Sequence, residues 1–369
     1  MICMRRDTLT AWRSTAPARP GIPLPVFVDA LVAAIASVGL VILAVQPWLA
    51  AMEPSSDSAP ASQSVAPAGG ASQTVYNDKE TVVSGYAGAP WYYRSDVALS
   101  RNDGTDMVLK RLGWDGDALY FPIDGGARVV RWSGPFGTMI DFLHNKAVSR
   151  LGRGAHGRKI ENGIIETVET TGTLKGQPAP ETLRLTDLFE RLEFTHGHNV
   201  LLLTGMMRLA PLSPAIRPYV GIGAGAAIPH VEVGFAGEPG RRRTNEYQLA
   251  GPAAQLVAGV EFRHGRGSFY LEYKFTWASI AAMLSGDRSF SFKHMEALKA
   301  LPRWLLEPFS GLMEMPGDLL RQYQRAQTGT GIEGHLSTRL SAHQLVVGAG
   351  YVWPSVATAP AAPPGAPAR

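Results

Sequence analysis

Thiols are almost absent from this chain: one of its 369 residues is cysteine, and that residue, Cys3, precedes an apolar segment. Export with removal of that segment would leave a mature protein with no thiol, which excludes disulfides, zinc–thiolate sites and cysteine nucleophiles. Charge is also scarce, at 18% of residues. Set against 40 glycines, 27 prolines and eight tryptophans, that scarcity disfavours a helical bundle and suits a wall of strands and turns. After residue 51 no stretch holds eighteen unbroken apolar residues, so no helical membrane domain is expected downstream. The formal charge of +4 does not indicate a nucleic-acid partner, because the interleaved aromatic and basic pattern of a nucleic-acid platform is missing. Basic residues gather instead before the apolar segment (Arg5, Arg6, Arg13, Arg19) and in loop clusters such as Arg241, Arg242 and Arg243. The first group reads as a targeting flank, and the second suits anionic headgroups or phosphates at a membrane surface.

Residues 1–51 form one unit, a signal peptide or an N-terminal membrane segment. The apolar run 26–51 has a core from Ala30 to Val45, a length at the boundary between a signal h-region and a spanning helix; cleavage is expected near Ala50 or Ala51. Residues 52–74 offer almost nothing apolar to bury and are expected to be a disordered tether. From 75 to 353 the texture changes to strand-like pieces, and a Pro/Ala-rich tail, 354–369, follows.

The candidate strands are 81–90, 125–133, 136–146, 198–209, 217–234, 245–263, 267–283 and 342–353. Alternation is clearest in SFYLEYKFTW, where Phe269, Leu271, Tyr273, Phe275 and Trp277 share one face and Tyr270, Glu272, Lys274 and Thr276 the other. Short links at 133–135, 210–217 and 264–267 alternate with long ones at 147–197, 236–244 and 284–341. The fold class expected is therefore all-β: an eight-stranded antiparallel transmembrane β-barrel with long outer loops. Within the last long link, residues 293–327 carry leucines divided by prolines (Leu298, Leu301, Leu305, Leu306, then Leu312, Leu319, Leu320). They predict a helical loop insertion of two or three short amphipathic helices covering the barrel or lying in the outer leaflet. A protein partner bound through 298–320 is a further reading.

Polar candidates gather toward the rim with the long loops: Asp141, His144 and Lys146 in DFLHNK; His196, His198 and Asn199 in HGHN; His230 and Glu232 in PHVEV; and Glu272 and Lys274 in the seventh strand. His230 and Glu232 have same-face spacing on a strand. With His144 or His198 from neighbouring strands they offer a mixed nitrogen and oxygen set for a divalent metal ion of unspecified identity. The plain alternative is that these groups only satisfy one another inside a narrow lumen. Asp141 and His144 differ by three residues, so pleating puts them on opposite faces unless a bulge intervenes. Asp115 follows Trp114 in a glycine-flanked turn.

The stretches SDVALSRNDGTDMVLKRLGWDGD, FGTMIDFLHNKA, HNVLLL, RPYVGIGAGAAIPHVEV, EYQLAGPAAQLVAGVEF and LEYKFT resemble, in that order, the bacterial outer-membrane lipid A oxidase family and its small barrel relatives. The resemblance covers about 81–285 and resumes at 342–353. It implies the outer membrane of a Gram-negative bacterium, lipid A or lipopolysaccharide and outer-membrane lipids as partners, and molecular oxygen as co-substrate. The implied reaction is oxidation of the proximal glucosamine to an aminogluconate unit. The matching polar positions are Asp115, Asp141, His144, His198, His230 and Glu232 as catalytic candidates, with Lys146, Asn199, Glu272 and Lys274 toward substrate; Arg241, Arg242 and Arg243 are separate candidates for holding lipid A phosphates, by bidentate contact. The alternative is a noncatalytic barrel with an envelope-structural or surface-binding role. The length of the 293–327 insertion and the tail after Trp353 depart from the family pattern.

Overall fold

The computed structural model describes residues 79–120, 123–239, 243–285 and 303–354, with the helical stretch 303–313 described as backbone alone. The expected signal segment and tether, the C-terminal tail, Arg241, Arg242 and the start of the 293–327 insertion lie outside the described residues.

Sixteen strands form: β1 (Lys79–Tyr92), β2 (Ser95–Arg101), β3 (Asp106–Leu112), β4 (Trp114–Asp115), β5 (Gly125–Ser133), β6 (Phe136–Ser149), β7 (Thr167–Leu174), β8 (Gln177–Pro178), β9 (Thr182–Arg184), β10 (Phe189–Arg208), β11 (Ile216–Ala227), β12 (His230–Phe235), β13 (Arg243–Tyr247), β14 (Gly251–His264), β15 (Gly267–Leu284) and β16 (Gly334–Pro354). Eight of them, in the order β1-β5-β6-β10-β11-β14-β15-β16, close into an antiparallel ring when β16 pairs back onto β1. The eight expected strands are these eight, in the same order, with two differences. The stretches 217–234 and 245–263 are each broken, at Ile228–Pro229 and at Gln248–Ala250, into a ring strand and a strand outside the ring (β12, β13). Proline lacks the amide that would carry the ladder through residue 229.

The three short links, β5–β6, β10–β11 and β14–β15, lie at one end of the ring. The four long connections leave from the other, where β10, β15 and β16 run on beyond the ring and recruit new partners: β12 pairs with β10, and β2, β3 and β7 extend outward from β16. The sheets at that end share one apolar core, including Leu99, Met107, Leu109, Phe194, Val231, Ile280, Leu284 and Leu336.

One strand face changes character as it passes from ring to extension. Along β15, Glu272, Lys274 and Thr276 point inward within the ring; the same face continues as the buried Ala278 and then as Ile280, Ala282 and Leu284, which are buried in the apolar core. The outward face inverts at the same level. On β16 the ring portion shows Leu345, Val347, Tyr351 and Trp353 exposed, while higher up the same face carries His335, Ser337, Arg339 and Ser341. The pairings Trp277↔Ser341 and Phe275↔His343 place the switch at one height on both strands.

The insertion contributes one helix, α1 (Arg303–Thr328), rather than several short ones among the described residues. Its contact with the rest of the protein is polar. Asp318 accepts a hydrogen bond from the Tyr247 amide at 3.0 Å, Gln322 bridges both backbone groups of Leu249, and Arg325 pairs with Glu246. Leu320 and Tyr323 are exposed. Leu298 and Leu301, with the side chains of Leu305, Leu306 and Leu312, lie outside the described residues, so the expected leucine-rich cover over the lumen falls outside what the structure describes.

Candidate functional site

The lumen of the ring is occupied by its own side chains. Lys274 donates to Asp141 and, at 2.9 Å, to the Tyr86 hydroxyl, while Tyr86 donates to Asp141 at 2.7 Å. Arg128 pairs with Glu272, which also accepts from Tyr219 at 2.7 Å, and the Arg128 guanidinium stacks 3.7 Å over Tyr270. Nearer the short links, Glu80 is held by Arg208 and Arg263. Asp141, Glu272 and Lys274, read from sequence as site candidates, are therefore members of a closed internal ion-pair network. Such an interior needs them paired, since an unpaired buried charge is costly.

The other candidates also disperse. Lys146 is fully buried against Asp124. His144 Nδ1 lies 2.8 Å from Asn199 Oδ1. His198 faces the Tyr92 hydroxyl at 3.3 Å. Asp115 is not in a turn but in β4, paired to β6, and its half-exposed carboxylate takes Arg150 at 2.9 Å. Arg243 lies on β13 opposite Gly234. None of these is among the groups that gather around His230 and Glu232.

That gathering is a different set. Glu232, fully buried on β12, has Oε1 2.5 Å from His196 Nδ1, 3.1 Å from the Thr195 hydroxyl that donates to it, and 3.5 Å from His230 Nδ1. Its other oxygen, Oε2, accepts from Arg191 at 2.8 Å, and Arg191 also binds Glu193 at 2.7 Å. The rings of His156 and His196 meet edge to face at 4.4 Å, and those of His196 and His230 lie 4.6 Å apart. Tyr247 packs on His230 and donates its hydroxyl to the His196 carbonyl at 2.9 Å. His156 and His196 remain partly open to solvent while Glu232 and His230 do not, so the cluster presents imidazoles outward on a buried carboxylate base.

Local backbone explains why His196 rather than His198 belongs here. β10 pairs with β6 through a register shift between Phe194 and His198, a bulge that re-aims side chains. Gly197 stands in it at φ 120, and a β-carbon there would come within 2.1 Å of the Asn199 side chain. His196 therefore meets β12, and His198 returns to the Tyr92 side. His156 comes from the long β6–β7 connection in the left-handed conformation, φ 57 and ψ 26, a region that a non-glycine residue seldom occupies. Sequence spacing gave no sign of it; the nearest signal was its setting in the glycine-rich stretch GRGAHGRK.

The electrostatics separate the two carboxylates. Burial works against ionisation of Glu232, but His196 and His230 overcome it and hold the carboxyl well below the usual range. Burial and the neighbouring Glu232 charge push Glu193 up to about 8 despite Arg191. Burial, then the charge of His196, lowers His156 to about 3, and burial also lowers His230. His156 and His230, lowered in this way beside an ionised carboxylate, are equipped as neutral imidazoles to accept a proton or to ligate a cation.

Comparison with protein-family models and with curated proteins finds no match for this chain. The functional reading therefore stands on the residues themselves.

Proposed function

We propose that the chain is an outer-membrane β-barrel of a Gram-negative bacterium that oxidises the proximal glucosamine of lipid A at the His156–His196–His230–Glu232 cluster. The observation that carries this reading is position. The one described grouping of open imidazoles on a buried carboxylate stands at the long-connection end, directly above the level where both strand faces invert polarity. The apolar outer face below that level suits lipid, and the aromatic residues at its limits suit interfacial anchoring: Trp91, Tyr93 and Trp277 above, Phe136, Phe269, Tyr351 and Trp353 below. From Phe269 to Trp277 is about 27 Å of strand, roughly 21 Å at a tilt of about 40°, close to the apolar band of such barrels. An apolar groove of about 620 Å³ on the outer wall, lined by Met207, Ile222, Leu256, Ala258 and Phe275, suits acyl chains. The proposal puts the headgroup above that wall, on the side of the cluster.

The reaction balances without a thiol. A free anomeric hydroxyl and its carbon-bound hydrogen give up two protons and two electrons to form a lactone; oxygen takes them up and leaves as hydrogen peroxide. Water then opens the lactone to the aminogluconate. Glu232, or an imidazole that it orients, accepts the hydroxyl proton. Lipid A from matched strains with and without the protein should differ by one added oxygen atom on the proximal sugar, read by mass spectrometry. His196→Ala should lose that product while the barrel still shows heat-modifiable migration. An unchanged lipid A spectrum from correctly inserted wild-type protein supplied with oxygen and divalent metals overturns the oxidase reading.

The closed lumen favours a second reading, a noncatalytic envelope barrel. It predicts no product and a loss of heat resistance, rather than of chemistry, in the same variant.

A further inference from the structure

We propose that His156, His196 and Glu232 bind a divalent transition-metal ion of the iron type at the long-connection end of the ring. The proposal rests on the oxidase reading for the purpose of the ion, not for its binding, which is a property of these residues alone. One potential ligand atom from each of the three side chains falls within 4.8 Å of the others. Metal–ligand bonds of about 2.1 Å bring such atoms to about 3.0–3.4 Å from one another, a contraction that side-chain rotation at the partly open His156 and His196 supplies.

Three further observations point to a ligand. Nε2 of His156 is shielded from solvent and has no hydrogen-bond partner among the described residues, although buried polar atoms are nearly always satisfied. The residue is also held in a left-handed backbone conformation that costs free energy and that the neighbouring contacts must impose. Finally, Glu193 and Glu232 face one another across β10 and β12 and share a single guanidinium, that of Arg191. Arg191 grips Oε2 of Glu232 and so orients the carboxylate, leaving Oε1 on the imidazole side. Metal ligands are held in this way by outer-shell partners.

The donor set selects the ion. Two imidazoles and one carboxylate are too rich in nitrogen for calcium or magnesium, which prefer oxygen. With no thiolate, and with coordination positions left toward the open side of His156 and His196, the set matches the two-histidine, one-carboxylate arrangement of non-haem iron(II) sites. His230 lies behind Glu232 and orients it from the buried side.

The test uses the full mature chain, folded in detergent, stripped with a chelator and titrated with cobalt(II) as an optical probe, then with iron(II) in the absence of oxygen. No lipid is present, so failure of the oxidase reading leaves this result intact. One equivalent of cobalt(II) should bind with visible absorption bands, displaceable by iron(II) and not by calcium. His156→Ala and Glu232→Gln should each weaken binding by more than about 100-fold, beyond the effect of losing an outer-shell contact. The exposed His335→Ala, on β16, should bind as wild type. His156 belongs to a connection outside the ring, so its variant remains informative if Glu232→Gln fails to fold, with circular dichroism as the control. Absence of stoichiometric binding, or equal binding by folded wild type and His156→Ala, overturns the site.

Discussion

The ring and the storey of strands above it are built from the same continuous β10, β15 and β16, yet they solve opposite problems. Inside the ring the buried face carries Asp141, Glu272, Lys274 and Arg128, paired with one another, while the outward face is apolar. Above it the buried face of β15 is hydrocarbon (Ile280, Ala282, Leu284) and the outward face of β16 is His335, Ser337 and Arg339. Strand geometry is indifferent to this reversal, since it requires only that alternate residues face opposite ways. On the proposed outer-membrane reading, what decides is the medium on each side, and the height of the reversal would be where lipid gives way to water.

The largest expected effect separates the two interiors. Lys274→Met strands Asp141 in the ring and should cost about 3–5 kcal/mol, whereas Lys274→Met combined with Asp141→Leu should recover most of it, because a removed pair leaves no orphan charge. In the storey, Leu336→Ala should cost about 2–5 kcal/mol with no such rescue. Urea unfolding in lipid vesicles measures both. If the double change is as damaging as the single one, the ring does not depend on internal pairing.

A somewhat smaller effect tests the two exteriors. Val347→Arg, on the exposed apolar wall, should destabilise the lipid-inserted protein by about 2–4 kcal/mol. Ser337→Arg, on the same face of the same strand but above the reversal, should fall within about 0.5 kcal/mol of wild type. Equal tolerance of the two, read by the same unfolding assay, would remove the case for a lipid-facing wall.

The smallest effect concerns pH and lies in the storey alone. Glu193 is raised to about 8, so its protonated form is favoured by folding; that contribution is present below its ordinary value and is lost as pH rises through about 8. In chelator-treated protein, Glu193→Gln should therefore match wild type best near the ordinary carboxyl value of 4.5 and melt higher than wild type at pH 9. A constant difference at both values would place the cost of Glu193 elsewhere than in its charge.

The ring was legible because period-two alternation ran unbroken through segments such as 268–277. The storey was not. β2, β3 and β7 are short, and on β15 the alternation itself dissolves into ASIAAML once neither face needs to be strongly polar. Of the site, His230 and Glu232 were visible as a same-face pair. His198 was preferred to His196 because the fourth strand was expected to begin at 198, whereas β10 begins at Phe189 and carries His196 through the register shift at 194–198. His156 lies about forty residues from its nearest partner in the cluster, on a connection with no periodicity to read. Lys146, Lys274 and Asp141 showed the limit of composition, since a polar residue on a strand looks the same in sequence whether it meets a substrate or an opposite charge.

The seam between β1 and β16 has a consequence for assembly. Its register joins Glu80 to Pro354 and Tyr92 to Ala342, contacts separated by most of the chain, whereas the β5–β6 and β14–β15 hairpins each meet across two residues. Chain-closure entropy makes the hairpins early and the seam late. Until it zips, both β1 and β16 present unpaired amides and carbonyls, an open template for any other strand. A polypeptide with this topology needs escort for the whole interval between synthesis of its first ring strand and delivery of its last.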